Sequence, residues 1–298
     1  MLRREFLTLL TAALAAPIRP AATETTVTIL HTNDTHSQIE PFPQGTRNEG
    51  LGGVARRAQY VRRVKEQNPN TLLIDAGDFF QGTPYFNFYR GEVEIKAMSA
   101  IGYDVVTLGN HDFDNGVEAL VAALQHASFD IVCCNYDFGS TPLAKIVKPY
   151  VVKKLGQIKV GVFGLGIDFI GLVLEKNHKG IRYLDPVESA RKVVEKLRNE
   201  EAVDLVIAAS HLGTKYEKEP HRMSDLKLVE QVRGIDFIAG GHTHSFMKQP
   251  EVYRHPDGSE SILFQVGFGG INVGRVDFMF RERQLLGWKA SLVELANA

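Results

Sequence analysis

The sequence predicts an α/β domain with a mixed β-sheet, and three observations support this fold class. Short apolar runs alternate with amphipathic helical patterns from residue 26 to about residue 240. The stretch YVVKKLGQIKVGVFGLG is typical of two strands joined by a hairpin turn at Gly156. From Gly258 onward, three strand-like runs follow one another without a helical pattern between them. Alternation followed by an all-β tail indicates one compact α/β domain whose strands are not all parallel.

The individual elements follow from the spacing of apolar residues along the chain. Short, largely apolar runs predict strands at residues 26–31, 70–78, 104–108, 130–135, 203–210 and 235–241, and in the tail at 261–267, 272–280 and 285–293. Helical spacing predicts helices at residues 52–67, 92–101, 117–127, 186–201 and 223–233. With 298 residues and 44% hydrophobic content, the chain is long enough to bury a large core.

Composition argues against several classes of protein. The net charge is −1 and no long block of lysine or arginine occurs, so electrostatic binding to nucleic acid is not expected. The two cysteines, Cys133 and Cys134, are adjacent, which excludes a disulfide framework and favours a buried strand. Beyond the N-terminal segment, no stretch is long and apolar enough to predict a membrane helix.

The first 22 residues differ from the rest of the chain. Two arginines precede an apolar run from Phe6 to Ala16, and small residues and prolines follow. This layout predicts a secretory signal peptide at residues 1–22, with the mature domain at residues 25–298. The stretch RREFL is similar to a twin-arginine export signal, and an ordinary signal with two chance arginines is the alternative. We therefore expect a periplasmic or secreted protein without a membrane anchor.

Five short polar segments each follow a predicted strand. In α/β sheets, loops at the carboxyl ends of strands face one crevice, so these segments are expected to meet. Taken singly, each has an ordinary explanation: Asp34 or Asp78 as a helix cap, His211 as a hydrogen-bonded core residue. Jointly they offer carboxylate, imidazole and amide ligands without a thiolate, which suits a pair of zinc, manganese, iron or cobalt ions. The segments are NDTHS (Asp34, His36), DAGDFFQG (Asp78), GNHDFD (Asn110, His111, Asp112, Asp114), SHLG (His211) and GGHTH (His242, His244).

The ordered motifs resemble those of the calcineurin-like metallophosphoesterases. More narrowly, ILHTNDTHSQIEPF, LLIDAGDFFQGTP, AIGYDVVTLGNHDFDNG and GGHTH are similar to the catalytic domain of bacterial 5′-nucleotidases and UDP-sugar hydrolases. The resemblance covers roughly residues 25 to 280. It implies a metallophosphatase fold, a four-layer α/β/β/α sandwich with mixed sheets. It also implies a hydrolase that cleaves phosphate esters with a water activated by two divalent cations.

The resemblance also implies roles for single residues. Asp34, His36, Asp78 and His244 would hold the first metal ion. Asp78, as a bridge, together with Asn110, His211 and His242, would hold the second, and glutamine stands at the position of His244 in some relatives. His111 would donate a proton or hydrogen bond to the substrate, and Asp114 would orient it, with Asp112 as the competing partner of His111.

The predicted substrate is a small phosphate ester, with 5′-nucleotides first among the candidates. A phosphodiesterase or pyrophosphatase acting on UDP-sugars or cyclic nucleotides is the alternative, and a non-catalytic binding subunit is a third hypothesis. The resemblance implies that complete relatives carry a C-terminal domain whose aromatic residues stack on the nucleoside. One expectation is that a separate partner chain supplies such a domain here. Another candidate contact for the organic group is the set of aromatic residues in FFQGTPYFNFYRG, although most of the five are expected to pack in the core: Phe79, Phe80, Tyr85, Phe86 and Phe88.

Overall fold

The computed structural model describes residues 24–297, so the predicted signal peptide lies outside the described residues. The α-helices of this part are α1 (Val54–Gln67), α2 (Pro84–Tyr89), α3 (Glu92–Ile101), α4 (Gly116–Leu124), α5 (Pro186–Glu195) and α6 (Asp225–Gln231). The strands are β1 (Glu24–Thr32), β2 (Thr71–Asp75), β3 (Val105–Val106), β4 (Asp130–Val132), β5 (Tyr136–Asp137), β6 (Val147–Lys148), β7 (Tyr150–Leu155), β8 (Ile158–Leu165), β9 (Arg182–Tyr183), β10 (Leu205–Ser210), β11 (Phe237–Gly240), β12 (Glu251–Arg254), β13 (Glu260–Phe264), β14 (Asn272–Arg281) and β15 (Gln284–Glu294).

Two mixed sheets form the centre of the domain. The first has the strand order β15-β14-β1-β2-β3-β4-β6, with β1, β2, β3, β4 and β6 parallel and the β14–β15 hairpin antiparallel beside β1. The second has the order β12-β13-β11-β10-β8-β7, with four parallel central strands and one antiparallel strand at each edge. The predicted hairpin at Gly156 is the β7–β8 pair, and the all-β tail supplies β13 to β15.

Side chains that alternate in direction along the buried strands produce four layers. In β1, Ile29 faces the core between the two sheets, whereas its neighbour Leu30 faces the layer that contains α1, α3 and α4. In β8, Val162 faces the other sheet and Phe163 packs towards α5 and α6. Since successive side chains of a strand point to opposite faces, each sheet has one face on the other sheet and one face on helices. The predicted α/β/β/α sandwich is confirmed.

Several helices begin and end where their sequences predict. The helix α3 spans the predicted residues 92–101 and ends at Gly102, whose left-handed backbone (φ 90°) is the usual way to terminate a helix. The helix α5 begins at Pro186 after Asp185, whose carboxylate accepts a hydrogen bond from Glu188 N at 2.9 Å. Its predicted continuation to residue 201 is a π-helical turn at Lys196–Glu200 instead.

Other elements differ from the prediction. The helix α2 was not predicted, because its six residues are mostly aromatic and too few to show helical spacing. The strand predicted at residues 104–108 is reduced to the two residues of β3, since the chain leaves the sheet early to enter the loop around His111. The edge strand β12 was also missed. Within residues 24–297, no helix has the length and apolar character needed to span a membrane.

The buried carboxyl group of Asp225 makes the stability of the fold depend on pH. Asp225 lies at the start of α6, accepts a hydrogen bond from Ser210 Oγ, and its Oδ2 atom has no partner in the described chain. Burial raises the pKa of Asp225 to about 8. Between about pH 4, the ordinary pKa of an aspartate, and the raised value, the folded state keeps a proton that the unfolded state has lost. The contribution of Asp225 to the free energy of unfolding is therefore greatest below this range and decreases as the pH rises through it.

Asp225→Asn is expected to flatten this dependence, since an amide does not titrate. Urea unfolding of the parent and the variant at about pH 5 and about pH 9 measures the change in the free energy of unfolding between the two pH values. Each unit by which the folded-state pKa differs from the unfolded-state pKa changes this free energy by about 1.4 kcal/mol. The exposed Glu217→Gln substitution, an equivalent loss of one carboxylate, is the control and is expected to leave the pH dependence unchanged. Equal pH dependence in the parent and Asp225→Asn would contradict the prediction.

Candidate metal centre

The five polar segments meet at one edge of the two sheets. The loops that follow β1, β2 and β3 leave the carboxyl ends of neighbouring parallel strands of the first sheet, and those that follow β10 and β11 leave the second. Two groups of side chains form there, each with ligand atoms within 4.8 Å of one another. The first cluster is Asp34, His36 and His244, and the second is Asp78, His211 and His242.

The backbone of these loops is left-handed rather than extended. In an extended segment, residues two apart, such as Asp34 and His36 or His242 and His244, would lie on one side. In the structure all four have positive φ, between 47° and 71°, and so does Asp78 at 57°. Such conformations are unfavourable for non-glycine residues and concentrate at functional sites. Backbone hydrogen bonds hold them, among them Asp34 N to Gly77 O (2.9 Å) and His36 N to Asp78 O (3.0 Å).

The first cluster lies at the more exposed side of the crevice. The Nε2 atoms of His36 and His244 are 3.0 Å apart, and His244 Nε2 lies 3.3 Å from Asp34 Oδ1. His36 Nδ1 lies 3.2 Å from the carbonyl oxygen of Phe80, to which it can donate. An imidazole that donates from one nitrogen to a carbonyl presents the lone pair of the other, which is the arrangement of metal-binding histidines.

The second cluster is almost completely buried. His211 Nδ1 donates to the carbonyl oxygen of Ala76 at 2.6 Å, which directs Nε2 towards Asp78 Oδ2 at 3.0 Å. The same nitrogen is 3.9 Å from Asp34 Oδ1, so the two clusters adjoin. Two further buried polar atoms of the predicted ligands form no hydrogen bond in the described chain: His242 Nδ1 and Asn110 Oδ1. Unsatisfied buried polar atoms are costly and need an explanation, which divalent cations would supply.

Burial and charge pairing shift the pKa values of the clustered side chains. Burial lowers the pKa of His242 to about 3, and the nearby charge of His211 acts in the same direction. Burial also lowers the pKa of His36, so both rings are neutral, as metal binding requires. Burial opposes charge on Asp78 and His211, but their mutual attraction together with other nearby charges and hydrogen bonds outweighs it, lowering the pKa of Asp78 and raising that of His211. Asp78 is thus kept as a carboxylate deep in the site.

His111 lies beside the clusters and contacts Asp114, not Asp112. His111 Nδ1 is 2.8 Å from Asp114 Oδ2, and this hydrogen bond is the main cause of the raised pKa of His111. Asp112 points inward and accepts hydrogen bonds from the backbone N–H groups of Asp78, Phe79, Phe80 and Gly109 at 2.7–3.2 Å. It therefore holds the Asp78 loop in place, a role that its position beside His111 in the sequence does not indicate.

Gly109 is the residue that lets the Asp78 and His111 loops approach. A Cβ atom at this position would overlap Asp78 Oδ1 and lie 2.7 Å from Asp78 N and from His211 Cε1. A side chain is therefore incompatible with the spacing of the two loops, and the glycine of the GNHDFD motif has a steric explanation.

The predicted aromatic contact is largely part of the core. Phe79, Phe80 and Phe86 are buried, as expected for most of the five residues. Tyr85 stacks on Tyr89 with a centroid distance of 6.4 Å, and Phe88 is 80% exposed on α2. This segment therefore supplies structure rather than a continuous aromatic surface at the site.

The layered fold and the His/Asp clusters at the carboxyl edges of its sheets define a hydrolase of the metallophosphatase fold. Comparisons with known proteins agree. Residues 27–246 match the family model described as Calcineurin-like phosphoesterase. A snake venom 5′-nucleotidase from Gloydius brevicauda is 35% identical over 292 residues, which are 90% of this chain and 47% of the relative. The 5′-nucleotidase of Homo sapiens is 32% identical over 294 residues, or 91% and 49% of the two chains.

A solved structure gives the same result. The 5′-nucleotidase precursor from Thermus thermophilus superposes with a TM-score of 0.81 and 34% identity, covering 91% of this chain and 54% of that one. The chain belongs to the calcineurin-like phosphoesterase family, and the predicted family is confirmed. It spans about half the length of the 5′-nucleotidases that it resembles.

Proposed function

We propose that this chain is an exported phosphoesterase that hydrolyses phosphate monoesters, 5′-nucleotides foremost, with two divalent cations. The observation that carries the proposal is the meeting of the two clusters with the His111–Asp114 pair in one crevice. The 5′-nucleotidase names of its relatives support the substrate class.

The donor set fits two hard-to-borderline cations. Carboxylate oxygens, imidazole nitrogens and one amide oxygen are the ligands that such ions accept, and no thiolate is among them. We assign the first ion to the first cluster with Asp78, and the second ion to the second cluster with Asn110. In this assignment Asp78 would be a ligand of both ions, and the unsatisfied atoms of His242 and Asn110 would gain partners.

Bound cations would supply Lewis acidity, which activates water and stabilises charge on the phosphoryl oxygens. The residues of the chain donate protons and hold the reacting groups in position. His111 donates a hydrogen bond from Nδ1–H to Asp114. Its Nε2 atom is therefore the ring atom that can give a proton or hydrogen bond to the leaving oxygen. The His111 backbone N–H donates to Asp78 Oδ1 at 2.7 Å and so couples its position to the bridging carboxylate.

Phosphate release by the purified chain tests the proposal. The chain is stripped with a chelator, reloaded with Mn²⁺, Zn²⁺, Co²⁺ or Fe²⁺, and offered AMP, UDP-glucose, 2′,3′-cyclic AMP and 4-nitrophenyl phosphate. We expect no release by the stripped chain and the highest rate with AMP after reloading. Faster cleavage of the diester or of UDP-glucose would favour the phosphodiesterase alternative, and no release with any metal would refute the hydrolytic proposal.

Export is supported by the pattern of residues 1–22 and by relatives named as a venom protein and a precursor. Mass spectrometry of the N-terminus of the natively produced protein tests it, with cleavage expected at about Ala15 to Thr23. A full-length protein that retains Met1 would contradict export by a cleaved signal.

A further inference from the structure

Three phenylalanines form an aromatic rim beside the first cluster: Phe42, Phe246 and Phe268. The Phe268 ring stacks on His244 with a centroid distance of 5.2 Å and an angle of 22°. Phe42 and Phe246 meet Phe268 edge to face, at centroid distances of 6.0 Å and 5.7 Å. The rim therefore adjoins a candidate metal ligand directly.

The rim exposes apolar surface where an ester would extend from the site. Phe246 is 49% exposed, and Phe42 and Phe268 are only partly buried. A single exposed phenylalanine is ordinary, but three rings in mutual contact at the edge of a polar crevice form an apolar patch. The organic part of a phosphate ester begins one bond from a phosphoryl oxygen, so it must lie next to the clusters.

Glycines hold the rim against the metal-binding loops. A Cβ atom on Gly267 would overlap the Phe246 ring, and one on Gly269 would lie 2.6 Å from Phe42 Cζ. The same loop is tied to the loop after β1, because Gly269 N donates to Asp34 O at 2.7 Å and Asn33 Nδ2 donates to Gly267 O at 2.6 Å. The rings and the first cluster are thus fixed relative to each other. The motif GFGG, which could be explained as a turn, has this packing role.

We propose that the aromatic rim binds the planar ring of the substrate, a nucleobase or an aryl group, and so determines specificity within this chain. The inference rests on the proposed function, which places the phosphoryl group at the clusters. Aromatic side chains stack on any planar ring with little dependence on its hydrogen-bonding groups, so the rim selects for a ring rather than for one base.

Phe246→Ala tests the rim through the ratio of two specificity constants. AMP and ribose 5-phosphate carry the same reacting group, and only AMP has a ring to stack. The ratio of their kcat/KM values is expected to fall about tenfold in Phe246→Ala, the usual effect of losing one stacked aromatic contact. Phe246→Tyr keeps the ring and is expected to restore the ratio. Phe88→Ala, which removes a still more exposed phenylalanine from α2, is the matched control and is expected to leave it unchanged.

Saturation-transfer NMR with adenosine provides a readout without turnover. The adenine protons are expected to receive saturation in the parent, Phe246→Tyr and Phe88→Ala, and to lose most of it in Phe246→Ala. Unchanged adenine signals in Phe246→Ala, or an equal loss of kcat/KM for AMP and ribose 5-phosphate, would overturn the proposal. If no metal supports phosphate release, the proposed function is wrong, while the NMR result still decides whether the rim binds a planar ring.

Discussion

Asp78→Asn is expected to abolish phosphate release and to lower the affinity for divalent cations. Asp78 is 2% exposed, lies 3.0 Å from His211 Nε2, and accepts the backbone N–H of His111. Asparagine has nearly the same shape but only one oxygen and no charge, so it cannot bridge two cations. Changes in residues that merely orient metal ligands typically cost about tenfold to a hundredfold, so the loss for a bridging ligand should exceed about a hundredfold.

Metal-induced thermal stabilisation separates this role from a general loss of folding. A cation that binds only the folded chain raises its stability, by about 2.7 kcal/mol when present at a hundred times its Kd. We expect Mn²⁺ to raise the Tm of the parent and of the control Asp257→Asn, which makes the same change on an exposed loop. Mn²⁺ should leave the Tm of Asp78→Asn almost unchanged. A variant with parent-like stabilisation and activity would show that Asp78 is not a ligand.

His111→Ala is expected to reduce kcat for AMP by about a hundredfold to ten-thousandfold, the usual contribution of a general acid. Because His111 is beside the clusters and not among their ligand atoms, bound metal measured by atomic emission should match the parent. Asp114→Asn should have a smaller effect, since it removes the charge of the partner that orients His111 while leaving the ring present. The exposed His126→Ala, on the loop after α4, is the control and is expected to behave as the parent.

The leaving group distinguishes proton donation from a contact with the phosphoryl oxygens. The nitrophenolate of 4-nitrophenyl phosphate departs without a proton, whereas the ribose oxygen of AMP needs one. If His111 donates that proton, the defect of His111→Ala should be much smaller for the aryl ester than for AMP, and the same ordering should appear in Asp114→Asn. Equal defects on both substrates would assign His111 to the phosphoryl oxygens instead. A loss of bound metal would contradict its placement outside the ligand set.

Regular periodicity predicted most of the fold. The helix α3, the β7–β8 hairpin and the strands of the tail were expected from apolar spacing and glycine positions, since these signals are local. The helix α2 was missed because its six residues are shorter than the window in which helical spacing shows. The strand β3 was predicted too long, because its residues are as apolar as those of a longer strand and only the path of the loop ends it.

The convergence of the polar segments was predicted from residue type and order alone. Mixed carboxylate and imidazole segments at five strand ends predicted that they would meet, and the structure brings them together. The left-handed backbone at Asp34 and His242 was not predicted, since it depends on hydrogen bonds to other loops. No local pattern encodes such bonds.

The fold class, the family and the candidate ligands could be predicted from the sequence, since periodicity, glycine placement and ligand type are properties of the chain. The tertiary structure sets which neighbour each side chain has. It turned Asp112 inward to four backbone N–H groups and left Asp114 for His111. It also buried Phe79 and assembled the aromatic rim from segments more than two hundred residues apart. These side-chain contacts form between loops that are distant in sequence, and packing of the two sheets brings the loops close together.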